Sequence, residues 1–284
     1  MHDVLSVAPQ DLRRAKLLEY EQYLIERDGE MDIDHCTLAK REVATEILER
    51  PPTKVRALDR DEFLHHYAKF DPSRPPSREM LMLLALTKVN AAEAYGVAQG
   101  YQRVKERALK RNDSLEMRVL CEEHYHTRIL LSSAKCYGIE IDAPYAPPST
   151  IRIMIAGMTK APEKFARPLT MMSEIISTIT FIKLIDINRA ILKDSPETRD
   201  AIEERLIEVC IDEIGHVSYN RMITSAFDKA WVRMMLPFAV KSMARAVPEI
   251  DELGAFPHNI MQELPLLYDR RRLPEAVHRQ SFLA

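Results

Sequence analysis

Glu122-Glu123-His124-Tyr125-His126 and Asp212-Glu213-Ile214-Gly215-His216 are the two stretches on which the reading of this chain turns. In each, a Glu stands three residues before a His: Glu123 with His126, and Glu213 with His216. On a helix that spacing projects both side chains from one face. A carboxylate oxygen and an imidazole nitrogen can then converge on one cation. The spacing carries little weight alone, because it recurs at Glu62/His65 and Glu275/His278. Glu62 falls near the start of a short segment between prolines, where an acid simply favours the positive end of a helix. Glu275 follows Pro274 in a basic tail.

The chain around the two central runs reads as helical. From residue 77 to about 110, Leu83, Leu86, Val89, Ala92 and Val97 recur at helical intervals after Ser77, a good N-cap. Asn112-Asp113-Ser114 closes that helix and caps the next, 115–137, which ends at Gly138. Pro162 and Pro168 punctuate the approach to a helix over about 169–193. Ser195-Pro196, an N-cap followed by Pro at the first helical position, opens a helix to about residue 226. Further helices are expected at 9–27, 36–50 and 59–69 on one side and at 229–247 and 258–268 on the other, with an apolar segment at 150–158. No strand alternation persists. The expectation is an all-α protein: a four-helix bundle over about 77–226, with additional N- and C-terminal helices, in one domain over 1–284.

Composition points the same way. Only 7 of 284 residues are Gly, while Leu, Ala, Met, Glu and Arg abound, which favours helices over hairpins. The net charge of −3, from 40 basic and 43 acidic residues mixed along the chain, gives no electrostatic reason to expect nucleic acid or an anionic membrane as partner. Cys36, Cys121, Cys136 and Cys210 lie far apart and read as small core residues in a reducing compartment. The N-terminus lacks the order of a signal peptide, and no apolar run approaches the roughly 20 residues of a bilayer span. A cytoplasmic protein is expected.

Each central run is preceded in the chain by another long helix with a Glu among apolar or small residues: Glu93 ahead of Glu123, and Glu174 ahead of Glu213. A lone Glu in such surroundings is expensive to bury, and a cation would stabilise it. Taken singly, these acids could be solvated and the histidines could be core residues. Taken in order on four helices, Glu, Glu-x-x-His, Glu, Glu-x-x-His describes a di-metal carboxylate site. Glu122 and Asp212, the acids just before Glu123 and Glu213, could bond the remaining imidazole nitrogen of the His on the facing helix and so orient it. Four carboxylates match two divalent cations, and oxygen ligands with a few nitrogens suit Fe or Mn better than zinc or iron–sulfur chemistry. Two Fe(II) ions can supply electrons to O2 as co-substrate, and a Mn/Fe pair accepts the same ligand set.

At these residues the sequence resembles the ferritin-like di-iron oxygenases. It is most similar to the p-aminobenzoate N-oxygenase (AurF-like) family, whose (D/E)-E-x-Y-H and D-E-x-x-H segments match 122–126 and 212–216. The similarity covers roughly residues 77–226. It implies that Glu93 with Glu123/His126 serves one side of the site and Glu174 with Glu213/His216 the other, with Glu123 and Glu213 as bridges. It also implies a homodimer, and a role for Thr178, one turn after Glu174, in relaying protons during O2 activation. The chain departs from the family at Val209, four before Glu213, where the arylamine N-oxygenases carry an additional His. C–H hydroxylation therefore stays open beside N-oxygenation.

The function expected is an O2-dependent oxidoreductase acting on a small organic molecule. It would draw two electrons from a separate ferredoxin or reductase, since no nucleotide fingerprint appears. Met171, Met172, Ile175 and Phe181 are candidates for the pocket wall, with core packing as the alternative. The competing functions are iron oxidation and storage, a radical-generating di-metal subunit, and a helical interaction module with no metal at all.

Overall fold

The structure, a computed structural model, describes residues 4–111, 115–267 and 273–284. It is all-α, with twelve α-helices and a single two-stranded hairpin among the described residues. The N-terminal part runs α1 (Gln10–Asp28), β1 (Met31–Asp32), β2 (Thr37–Leu38), α2 (Ala39–Leu48) and α3 (Arg60–Ala68). Then come the long helices α4 (Arg78–Arg111) and α5 (Leu115–Ser132), the shorter α6 (Ser149–Lys160), and the long α7 (Glu163–Ile191) and α8 (Pro196–Ile223). The chain closes with α9 (Ala226–Ala246), α10 (Pro248–Leu253), α11 (Ile260–Glu263) and α12 (Glu275–Gln280).

Local chemistry accounts for many of these limits. Ser77 caps α4 by accepting from the Met80 amide at 3.2 Å, and Asp59 caps α3 by accepting from Glu62 at 2.7 Å. A 3-10 turn over Ser133–Tyr137 extends α5 to Gly138, whose φ of 70° needs the freedom of glycine. The expected cap at Asn112-Asp113-Ser114 lies outside the described residues. Pro168 does not stop a helix: it sits inside α7, little more than one turn from the start, where one missing backbone bond leaves the apolar face continuous. The apolar segment near 150–158 is helical, as α6.

The hairpin was not expected. It pairs Met31 with Leu38 and Asp32 with Thr37, and is too short to show an alternating pattern. Asp32 closes its turn by accepting from the amides of Asp34 and His35 at 2.8 and 3.1 Å. Cys36, at a φ of 54°, ends the turn with its sulfur 3.0 Å from that of Cys121 on α5. The cysteines are free and buried, as core residues would be, but these two are not far apart in space.

The four long helices pack as two hairpins, α4 against α5 and α7 against α8, joined by α5 on α8 and α4 on α7. The main core lies between them, built from residues such as Leu83, Ile129, Ile179, Val209 and Ile211. α1, α2 and α12 cover α8, α6 bridges α4 and α7, and α9 backs α7. By length and mean hydropathy (1.3), α7 could cross a membrane, but 67% of that window is buried against the rest of the protein. Its apolar character is thus accounted for by the core.

Candidate metal centre

Helical spacing and helix pairing bring the six inner residues together. Glu93 comes from α4, Glu123 and His126 from α5, Glu174 from α7, and Glu213 and His216 from α8. Glu93, Glu123, His126 and Glu213 place one ligand atom each within 4.8 Å of one another. Glu123, Glu174, Glu213 and His216 do the same, so Glu123 and Glu213 belong to both groups. The two imidazole rings lie 5.7 Å apart, centroid to centroid. The Glu62/His65 pair is exposed on α3, and Glu275 on α12 pairs with Arg279; neither approaches this cluster.

Each histidine is held from outside by a carboxylate of the facing helix. His126 Nε2 lies 2.9 Å from Asp212 Oδ2, and His216 Nε2 lies 3.0 Å from Glu122 Oε2. A carboxylate only accepts, so Nε2 of each ring carries a proton; the neutral ring of His126 turns its Nδ1 lone pair inward, and His216 would offer the same lone pair once a cation displaces its second proton. Nδ1 of His126 is 3.5 Å from Glu123 and 3.7 Å from Glu213; Nδ1 of His216 is 2.9 Å from Glu123 and 3.7 Å from Glu174. Nδ1 of His126 and Oε2 of Glu93 are buried with no hydrogen-bond partner among the described residues, and Nδ1 of His216 has only the inner carboxylates facing it. Orphaned inward donors of this kind fit a cation set between the carboxylates.

The electrostatics agree. Burial, with the carboxylates of Glu123 and Glu174 beside it, pushes Glu93 well above the usual carboxylate range. Burial and the charges of Glu174 and Glu123 do the same to Glu213. Burial opposes the ionisation of Glu123, but His126 and His216 outweigh it and hold that acid low. Burial disfavours the His216 cation too, yet Glu122, Glu123 and Glu174 around it raise its pKa well above the ordinary value. Burial lowers that of His126 and keeps its ring neutral. Without a metal the cluster must hold protons to remain stable, and two divalent cations would replace them.

Several residues at the centre escaped the sequence. Arg27 at the end of α1 bonds Asp212, reaches Glu208 at 2.6 Å, and lies 3.5 Å from Glu122. Arg41 of α2 bonds Asp212 and Glu208. Asp28 sits beside Glu122 with its carboxyl raised to about 7, first by burial and then by that neighbour's charge. Ser177 is the other omission. Its hydroxyl donates to Glu213 Oε2 at 2.7 Å, whereas Thr178 donates to the Glu174 carbonyl at 2.6 Å and stays 3.5 Å from Glu213. Gly215 leaves room for Tyr20 of α1: a Cβ there would stand 2.9 Å from the Tyr20 hydroxyl. Only Glu208 had a visible signal, lying four before Asp212 on the same face of α8.

A cavity of about 800 Å³ opens onto Glu93, Glu123, Glu174 and Glu213. The half-buried state of the first three reflects this internal surface. Ser177 and Phe181 lie on its wall, but Met171, Met172 and Ile175 do not; they are packed in the core. No protein-family model, curated protein or solved structure matches the chain.

Proposed function

We propose that the cluster binds two divalent metal ions, iron by the chemistry of its donors, and that the protein is an O2-dependent oxygenase of a small organic substrate. One ion would be held by Glu93 and His126, the other by Glu174 and His216, with Glu123 and Glu213 between them. The order of ligands along two paired helical hairpins supports a ferritin-like bundle as the scaffold. The metals, when bound, would supply electrons to O2. Around them, Asp212 and Glu122 orient the imidazoles, and Arg27 and Arg41 hold those acids in place. The Ser177 hydroxyl, hydrogen-bonded to Glu213 on the cavity wall, is better placed than Thr178 to hold or pass a proton.

The observation that carries an oxygenase over an iron store is the cavity reaching all four inner carboxylates. Storage needs a path for ions, not an apolar chamber of this size. The test is metal per chain in protein from iron-supplemented cells, beside the double variant Glu123→Ala/Glu213→Ala, followed by O2 uptake of the reduced protein. About two irons in the parent, nearly none in the variant and consumption of O2 support the reading. A parent that takes up neither iron nor manganese after reconstitution overturns it.

A further inference from the structure

The cavity is long rather than round. It is lined by α4 from Lys88 to Arg107, a stretch of twenty residues with roughly 28 Å of helix rise from first to last. Its wall on α7 runs from Glu163 to Phe181, a similar length. At one end Arg103 donates to the Thr159 carbonyl at the end of α6. At the other, Lys88 is buried against Glu249 of α10. A single aromatic ring would leave most of such a slot empty.

Its width is set by α4. Ala92, Gly96 and Gly100 stand four apart on the wall face, in a chain with only 7 glycines. A glycine inside a helix costs roughly 1 kcal/mol relative to Ala. No close backbone packing requires it here: a Cβ at Gly96 or Gly100 would find only Ile155 and Leu120 side-chain carbons, at 3.9 and 3.8 Å. What these glycines keep is open space along the slot.

The charges at its ends are unequal. Arg107 pairs with Glu116, Arg167 with Glu163, and Lys88 with Glu249. Two cations of the wall have no carboxylate partner among the described residues: Arg245, which is exposed to solvent, and Arg103, which is half-buried and bonds only a backbone carbonyl, so Arg103 is the one held inside the slot. Between the ends the wall is mostly apolar, its polar groups including the metal-site carboxylates, Asn220 and the hydroxyls of Thr170, Ser173, Ser177 and Thr180.

We propose that this cavity takes a long-chain aliphatic carboxylate, with its head on Arg103 and its chain laid between α4 and α7 past Glu93 and Glu174. Glu93 lies ten residues before Arg103, roughly 15 Å along the helix. The position offered for oxidation is therefore deep in the chain, away from the head. That last point rests on the oxygenase reading; binding of the chain does not.

The test is competition against a fluorescent fatty acid, with full-length protein assayed both metal-loaded and chelated. Octanoate, dodecanoate, palmitate, hexadecanol and hexadecyl phosphate are the probes. Affinity should rise from octanoate to palmitate, and hexadecanol should bind about tenfold more weakly than palmitate, having lost a charge-assisted bond. Arg103→Gln should remove that tenfold difference and leave hexadecanol unchanged. Gly96→Leu, checked for folding by circular dichroism, should weaken palmitate more than octanoate. The proposal is overturned if no acid binds, if chain length has no effect, or if Arg103→Gln weakens acid and alcohol alike. Hexadecyl phosphate binding more tightly than palmitate overturns the carboxylate head. Protein with two metals that binds no acid loses only this proposal, and metal-free protein that binds palmitate but never metal loses only the oxygenase.

Discussion

At the scale of single residues, the centre is a set of imidazoles and carboxylates each with two neighbours to satisfy. His216 meets Glu122 with Nε2 and the inner carboxylates with Nδ1. Glu122→Gln would leave the ring in place but weaken the acceptor that makes Nδ1 a good donor. Iron or manganese affinity should then fall about 10–100-fold with the circular dichroism spectrum unchanged. Unchanged affinity in a competition titration would remove His216 from the ligand set. Asp28 makes a pH prediction. Its folded pKa is raised from 3.8 to about 7, so the stability it contributes is complete below pH 3.8 and is lost as pH rises towards 7. Asp28→Asn does not titrate. Its stability relative to the parent should therefore climb between pH 4 and 7 and level off above, as read from urea midpoints at each pH. A difference that stays constant over that range would mean Asp28 ionises normally.

At the scale of elements, what the sequence showed and hid follows from the range of the interaction. Glu93, Glu123, His126, Glu174, Glu213 and His216 were legible because helical period and chain order are local signals, and the four long helices were bounded by caps and prolines. Arg27 and Arg41 were not legible: each meets Asp212 across more than 170 residues, and nothing in their neighbourhood marks a basic residue that will be buried. Ser177 was hidden behind Thr178 because adjacent hydroxyls share one helix edge, and only side-chain geometry separates them. α1 and α2 therefore belong to the centre rather than to its periphery. Arg41→Ala should cost about 3 kcal/mol in urea denaturation, because Asp212 and Glu208 lose a buried countercharge. A loss under about 1 kcal/mol would show that Arg27 holds both acids unaided. The hairpin is tied in by a second device, the contact of Cys36 with Cys121, the residue next to Glu122. A mild thiol oxidant should join them, removing two free thiols and raising stability by about 2–4 kcal/mol. Cys36→Ser should abolish both effects; oxidation that consumes no thiol would show the pair to be only packing.

At the scale of the whole molecule, the centre is a trade between folding and binding. The four long helices bury acids that repel one another, and in the metal-free protein burial and neighbouring charge drive Glu93 and Glu213 towards their neutral forms. A cation reverses the balance, because it binds the folded chain and not the unfolded one, and adds stability as its concentration exceeds its dissociation constant by more. Replacing one of the shared acids should separate the two effects. Glu213→Gln removes a group that is already close to neutral in the metal-free protein, keeps its shape, and still leaves Ser177 an oxygen to bond. Metal-free Glu213→Gln should therefore melt at or slightly above the parent. With saturating Mn(II) the order should invert: the parent gains several degrees, the variant little, since a neutral amide is a poor bridge between two cations. Calorimetry of both proteins with and without chelator reads all four values. If the variant instead unfolds early without metal, Glu213 supports the fold by itself. If it gains as much as the parent with metal, the ions bind elsewhere, and the buried cluster is a polar network of the core.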